Sequence, residues 1–206
     1  MNLYDVKSLS KEFYLKDAVI VAKDLLGKLI IRKFGNKFAA VKIVETEAYF
    51  GDHDPACHAF GRVTKRNSVI YGPEGKAYVY FIYGSYYCFN AVCGKEGTGN
   101  AILIRAGEPV EGIEIMKKFR PNVKNDIELT NGPSKLCMAM NVDLSLNRTD
   151  ITNTDSEIFI AENDRIKRSE IITSRRIGLN KGVEFPYRFF IKENPFVTKH
   201  KFNSEQ

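Results

Sequence analysis

Apolar and polar positions change period several times along this chain, and each change marks an element. Between Asp17 and Leu26 the apolar residues Ala18, Val21, Ala22, Leu25 and Leu26 recur at helical spacing. An acid able to cap the first turn, and Gly27 just past the last, predict a helix. Lys28–Lys33 and Phe38–Tyr49 read as strands, joined by the turn-forming Phe34-Gly-Asn-Lys37. Ala101–Ala106 is a further strand. Val110, Ile113 and Met116 predict a helix over Pro109–Phe119 with proline in its first turn, and Asn131–Met140 predicts a second, short one. The β-prone runs Glu157–Ala161, Ile171–Arg175 and Arg188–Ile191 follow, and the polar tail Lys199–Gln206 is expected to fray. No repeat, low-complexity stretch or long linker divides residues 1–206. The pattern predicts a single α+β domain, a curved, largely antiparallel sheet with packed helices.

The second of these strands departs from a plain apolar pattern. It begins with Phe38, Ala39, Ala40, Val41, Ile43 and Val44, then gains Glu45 and Glu47 two residues apart, with Tyr49 after them. Side chains two apart share a strand face, so two carboxylates and a phenol line up. The run breaks at Gly51-Asp-His-Asp-Pro55, which is turn chemistry, and His58 follows. Functional groups are often placed on loops that a rigid scaffold holds. A second run, Tyr78 to Asn90, is dense in aromatics and interrupted only by Gly84-Ser85, which predicts a β-hairpin. Its tip carries Ile82 and Tyr83, where polar residues are usual. Arg105 stands inside the apolar strand Ala101–Ala106, and a buried charge needs a partner. Glu47 would supply one and would draw Arg105 into the same site.

Composition adds a partner class. The 206 residues carry a net charge of +6 and are 44% hydrophobic, enough for an ordinary core, with a surface that attracts polyanions. Thr64, Lys65, Arg66, Asn67 and Ser68 form a polar loop rich in phosphate-binding groups. Ser134 and Lys135 open the second short helix, whose free N–H groups suit a phosphate. Arg165, Lys167, Arg168, Arg175, Arg176 and Lys181 add further basic contacts. No apolar run approaches the roughly 18 residues of a membrane span, and the N-terminus lacks the pattern of a signal peptide. A cytoplasmic protein with four free thiols, Cys57, Cys88, Cys93 and Cys137, is expected.

Each feature also has a plainer reading. Without Arg105 and the hairpin, Glu45 and Glu47 fit a solvated strand face. The 62–68 loop fits a solvated loop, and Ser134-Lys135 a well-capped helix. Cys57 beside His58 fits a small buried residue better than a nucleophile–base pair. His53, Asp54 and His58 have donors compatible with a metal, although no metal is expected.

Taken together, Val44-Glu-Thr-Glu-Ala-Tyr49, His58, Tyr78-Val-Tyr-Phe-Ile-Tyr-Gly84, Asn90, Leu103-Ile-Arg-Ala106, Gly132-Pro-Ser-Lys-Leu136 and Arg176-Ile-Gly178 resemble the alkyladenine (3-methyladenine) DNA glycosylase family, in that family's order and near its spacings. The resemblance covers nearly the whole chain. It implies a monofunctional base-excision enzyme, acting without cofactor as a monomer on double-stranded DNA. Such an enzyme flips out alkylated or deaminated purines (3-methyladenine, 7-methylguanine, hypoxanthine) and hydrolyses the N-glycosidic bond. On this resemblance Glu47 matches the base that activates water, and Arg105 and the Ile177 carbonyl match groups that hold it. Tyr49, His58 and Tyr80 match the pocket walls, Asn90 the residue that disfavours guanine, and Tyr83 the wedge on a protruding, DNA-inserting hairpin. Thr64, Arg66, Asn67, Ser134 and Lys135 stand as backbone contacts. The physical chemistry is consistent: extrusion needs an offset for lost stacking, wedging side chains provide one, and an aromatic sandwich favours a cationic base. Two rival readings are a non-catalytic nucleic-acid-binding module and a glycosylase/lyase with a lysine nucleophile. For the latter, Lys42 and Lys76 are the nearest lysines, both expected to be exposed.

Overall fold

The structure is a computed structural model and describes residues 2, 5–82 and 84–204. Helices α1 (Lys11–Tyr14) and α2 (Ala18–Leu25) lead into strands β1 (Leu29–Phe34) and β2 (Lys37–Tyr49). The hairpin β3 (Ala77–Ile82) and β4 (Tyr86–Cys93) follows, then the long β5 (Asn100–Glu111). Helices α3 (Ile113–Phe119), α4 (Ile127–Thr130) and α5 (Pro133–Ala139) precede the short strands β6 (Ile158–Ala161), β7 (Ile171–Ser174) and β8 (Arg188–Ile191). All strand pairs are antiparallel, in the order β3-β4-β5-β2-β1-β6, with β7 and β8 attached to β2. This is the single α+β domain with a curled antiparallel sheet that the pattern predicted. Asp17 caps α2 through the Val19 N–H, 2.8 Å away. The apolar stripe of α2 closes the main core with Ile43, Ala48, Ile102 and Ile104.

β2 organises the site because it changes partner along its length. Its first half pairs with β1, and Glu45–Glu47 pair with β8. Between the two halves the register with β5 shifts on either side of Glu45. A bulge of this kind re-aims the side chains that follow it. Before it Ala39, Val41 and Ile43 face the main core; after it Ala48 does, and the Thr46 hydroxyl donates to the Ala22 carbonyl of α2. The odd positions Glu45, Glu47 and Tyr49 are thereby released to the opposite face. On β5 the compensating irregularity falls at Arg105, which has no Cα partner between Ala106 and Ile104.

Three sequence expectations are corrected. Pro109 is not in a helix: β5 runs on to Glu111 and pairs Pro109 with Val41 beside a register shift, a place where a sheet tolerates a residue without N–H. Helix α3 starts only after Gly112, whose φ of 71° breaks the strand. The tail does not fray over residues 199–204, because Asn203 and Phe202 bond back to Arg188 and Ser174. Lys42 and Lys76 are not free surface lysines: they are partly buried and paired with Glu108 and Asp150.

Candidate active site

The three acidic or phenolic side chains of β2 meet Arg105 on one sheet face. Glu45 and Glu47 are both fully buried, so the solvated-face reading falls. Glu47 Oε1 accepts from the Ile177 N–H at 2.8 Å and lies 3.2 Å from Arg105 Nη1. Its Oε2 accepts from the Tyr49 hydroxyl at 2.7 Å. A carboxylate offers about four acceptor sites, so three donors leave room for one more. The Ile177 group that touches Glu47 is the N–H.

Arg105 divides itself between both acids, with Nε donating to Glu45 Oε1 at 2.9 Å. Burial opposes Arg105's charge, yet Glu47 and Glu45 outweigh it and hold the guanidinium firmly protonated. Glu45 likewise resists burial and stays below the usual carboxylate range because Arg105 and Arg188 flank it. Arg188, wholly buried, is a site residue that local sequence reading missed. Its Nε donates to Glu45 Oε1 at 2.6 Å, and Glu45 Oε2 accepts from the Thr198 N–H at 2.9 Å.

Arg176 was expected on a basic surface and is instead buried in a two-pronged ion pair with Asp54, itself fully buried. Its Nη1 also donates to the Ala48 carbonyl, and its guanidinium lies 4.5 Å from the Tyr49 ring centre. That pair fixes the segment whose next N–H, from Ile177, reaches Glu47. It also occupies Asp54, one of the metal-donor candidates; among the described residues no group of three His, Cys, Asp or Glu side chains gathers around a common point.

On the side of Tyr49, the partner of Glu47, a cavity of about 180 Å³ opens, lined among others by Tyr49, His58, Tyr78, Tyr80, Ile82 and Asn90. An apolar cavity of roughly 150 Å³ accepts benzene, so this one suits an aromatic ring system. The walls are uncharged. Burial and Glu47 push the Tyr49 hydroxyl well above its ordinary pKa, and burial with Cys88 does the same for Tyr80. Burial raises Tyr78 to about 12 against the pull of Arg66. Desolvation by the surrounding side chains, then the Arg66 charge, lowers the pKa of His58, whose Nδ1 is 2.9 Å from the Tyr78 hydroxyl and whose ring meets Tyr80 edge-on at 4.5 Å. Asn90 donates to the Tyr78 carbonyl at 2.9 Å, which fixes the amide at the cavity wall. Cys57, beside His58, donates towards the Gly99 carbonyl and is raised to about 11 by burial, an inert thiol at neutral pH.

Around the mouth, the hairpin closes with Ile82 paired to Tyr86. Ile82 lines the cavity, whereas Tyr83 lies outside the described residues. Arg66 is exposed, 5.5 Å from the Tyr80 ring centre, and tied to the hairpin through the Phe81 carbonyl. Asn67 is buried: its amide donates to the His58 and Arg62 carbonyls and accepts from the Thr64 N–H. Its side chain therefore shapes the loop that presents Thr64 and Arg66. Ser134 and Lys135 are not brought to the cavity. Lys135 lines a separate cleft with Asn131, Thr198 and Lys199, and donates to Asn131 Oδ1 at 2.8 Å. Among the described residues no helix is long and apolar enough to cross a membrane.

Comparison with known proteins agrees in kind. The family described as methylpurine-DNA glycosylase matches residues 12–195. Relatives named "Putative 3-methyladenine DNA glycosylase" include one from Carboxydothermus hydrogenoformans, 47% identical over 191 residues, covering 93% of this chain and 98% of its own. Another, from Francisella tularensis, is 48% identical over 179 residues, covering 86% and 92%. A third, from Methanocella arvoryzae, is 43% identical over 194 residues, covering 93% and 96%.

Proposed function

The chain belongs to the methylpurine-DNA glycosylase family, and on that premise we propose that it excises alkylated purines from duplex DNA by base flipping and a Glu47-activated water. The observation that carries this reading is the buried Glu47 carboxylate, held by Arg105, the Ile177 N–H and the hydroxyl of Tyr49, a residue that itself lines an aromatic cavity of base size.

A base within the duplex is out of reach and must be extruded, at a cost of a few kcal/mol. Once in the cavity, a purine alkylated at N3 or N7 carries positive charge. Neutral tyrosine rings attract such a base by roughly 0.5–2 kcal/mol, and no wall competes for that charge. Glu47, with one acceptor site left, takes a proton from water. The water oxygen bonds to the sugar C1′ as the C1′–N bond breaks, and the bonding pair leaves with the base and neutralises it. Products are the free base and an abasic site. General-base assistance of this type is typically worth 10²–10⁴-fold. The positive charge on the lesion makes the base a ready leaving group, so no strong acid is required for alkylated purines; hypoxanthine demands more help. Arg66 and Thr64, on the loop that Asn67 shapes, contact the flanking backbone, and Tyr83 fills the gap.

The pairing of Lys42 and Lys76 with carboxylates leaves a lysine-dependent lyase without a ready nucleophile among these two. The test offers duplexes containing 3-methyladenine, 7-methylguanine, hypoxanthine or ethenoadenine and measures free base released. Release from the methylated duplexes without a borohydride-trappable adduct is expected; no release from any of them overturns the reading.

A further inference from the structure

Four charges lie in a row, Arg188, Glu45, Arg105 and Glu47, and the excision chemistry uses only the last two. Arg188 Nε and Arg105 Nε both point at Glu45 Oε1, from 2.6 and 2.9 Å, and Arg105 Nη1 continues to Glu47 Oε1 at 3.2 Å. Arg188 is in turn held from the other side. Its Nη2 donates to Asn203 Oδ1 at 2.9 Å and its Nη1 to Ser174 Oγ at 3.2 Å. Asn203 Nδ2 ties back to the Thr198 carbonyl at 3.0 Å, while the Thr198 N–H donates to Glu45 Oε2. The C-terminal segment therefore serves both members of the outer ion pair.

We propose that Arg188, held by the Thr198–Asn203 segment, is a positioning residue for excision: through Glu45 it sets where Arg105 stands against Glu47. This rests on the glycosylase reading of Glu47. Two buried carboxylates sharing Arg105 alone would leave one negative charge uncompensated, and Glu45, with the closer contact, would claim most of the guanidinium. Arg188 meets the demand of Glu45 and leaves Arg105 free to face Glu47. A buried ion pair is often no more stabilising than well-packed apolar residues, and this one stands one contact away from the reacting carboxylate, where it acts on geometry and charge.

Charge change separates this role from simple loss of fold. The titratable or charged groups around the two acids are Arg105 from β5, Arg188 from β8, Tyr49 from β2, Tyr80 from β3, Cys88 from β4 and Arg176 from the segment after β7. Single-turnover excision from a 7-methylguanine duplex is measured against pH for the wild type, Arg188→Gln, Glu45→Gln and the double variant, with melting temperature and lesion-duplex affinity for each. Arg188→Gln removes a positive charge, so the acid limb should move up by about half to one pH unit at nearby-charge strength, with affinity within about twofold. Glu45→Gln should move it down, and the neutral double variant should bring it back. A loosened fold has no reason to move the limb in opposite directions. Limbs that stay in place, or move the same way in both single variants, overturn the proposal. If Arg188→Gln does not fold, Asn203→Ala carries the test: an upward shift of smaller size supports the role and an unmoved limb overturns it. An inactive wild type would overturn the glycosylase reading as well; an active wild type with unmoved limbs overturns the role of Arg188 alone.

Discussion

The hydroxyl of Tyr49 donates to Glu47 across 2.7 Å, so a wall of the cavity and the buried carboxylate form one hydrogen-bonded unit. A group that stacks on a base and a group that activates water are thereby fixed relative to each other. The fully buried Asp54–Arg176 pair braces both, through the Tyr49 ring and the Ile177 N–H.

Tyr49→Phe keeps the ring and removes that donor. A hydrogen bond to a charged group contributes roughly 1.5–3 kcal/mol, and about 1.4 kcal/mol is tenfold in rate. Single-turnover excision should fall by about tenfold or more, while lesion-duplex affinity, carried by the ring, stays near wild type. An affinity loss equal to the rate loss would place the hydroxyl in binding instead.

Glu47→Gln preserves shape and cannot take a proton. Lesion binding should persist and excision should fall by about 10²–10⁴. Near-normal single-turnover excision would remove Glu47 from the role of base.

Asn90→Ser should relax discrimination against guanine. The amide is fixed at the cavity wall by the Tyr78 carbonyl, and its loss makes room for an exocyclic amine. Release of guanine from an undamaged duplex is the measurement. Unchanged guanine release with unchanged lesion activity would locate selectivity elsewhere.

Tyr83→Ala concerns the hairpin tip, between Ile82, which closes the pairing with Tyr86, and Gly84, whose φ of 69° makes the turn. Base–aromatic stacking is worth roughly 1–3 kcal/mol, comparable with the cost of flipping. Duplex excision should drop while melting temperature holds, and a lesion in single-stranded DNA should be affected less. A reporter base beside the lesion follows the flipped population directly. An unfolded variant, or an unchanged population, would make this ring a packing residue.

Stability should fall at acid pH through Glu45. Burial opposes its charge, but Arg105 and Arg188 hold its pKa below the ordinary carboxylate value. A carboxyl depressed in the folded state contributes stability above its unfolded pKa, and that contribution is lost as pH falls through the folded value. Thermal melts should therefore drop as pH falls below about 4.3, the unfolded glutamate value, and Glu45→Gln should flatten that slope while lowering stability at pH 7 by roughly 3–5 kcal/mol. An equal acid slope in both proteins would assign the acid lability to other carboxylates.

Local pattern alone determined much of this protein. The capped α2, the hairpin of aromatics, and the sharing of one face by Glu45, Glu47 and Tyr49 follow from periods of 3.6 and 2 and from turn chemistry, all properties of neighbouring residues. The need of Arg105 for an acid was legible because charge in an apolar strand is expensive. Tertiary structure decided the rest. Glu45 finds Arg188 143 residues away and Asp54 finds Arg176 122 residues away, because β2 changes partners from β1 to β8 at a bulge. Pro109 stayed in a strand and the tail packed for the same reason: long-range pairing outweighed local preference. Strand registers between distant segments choose which charges meet, and no periodicity within one segment encodes that choice.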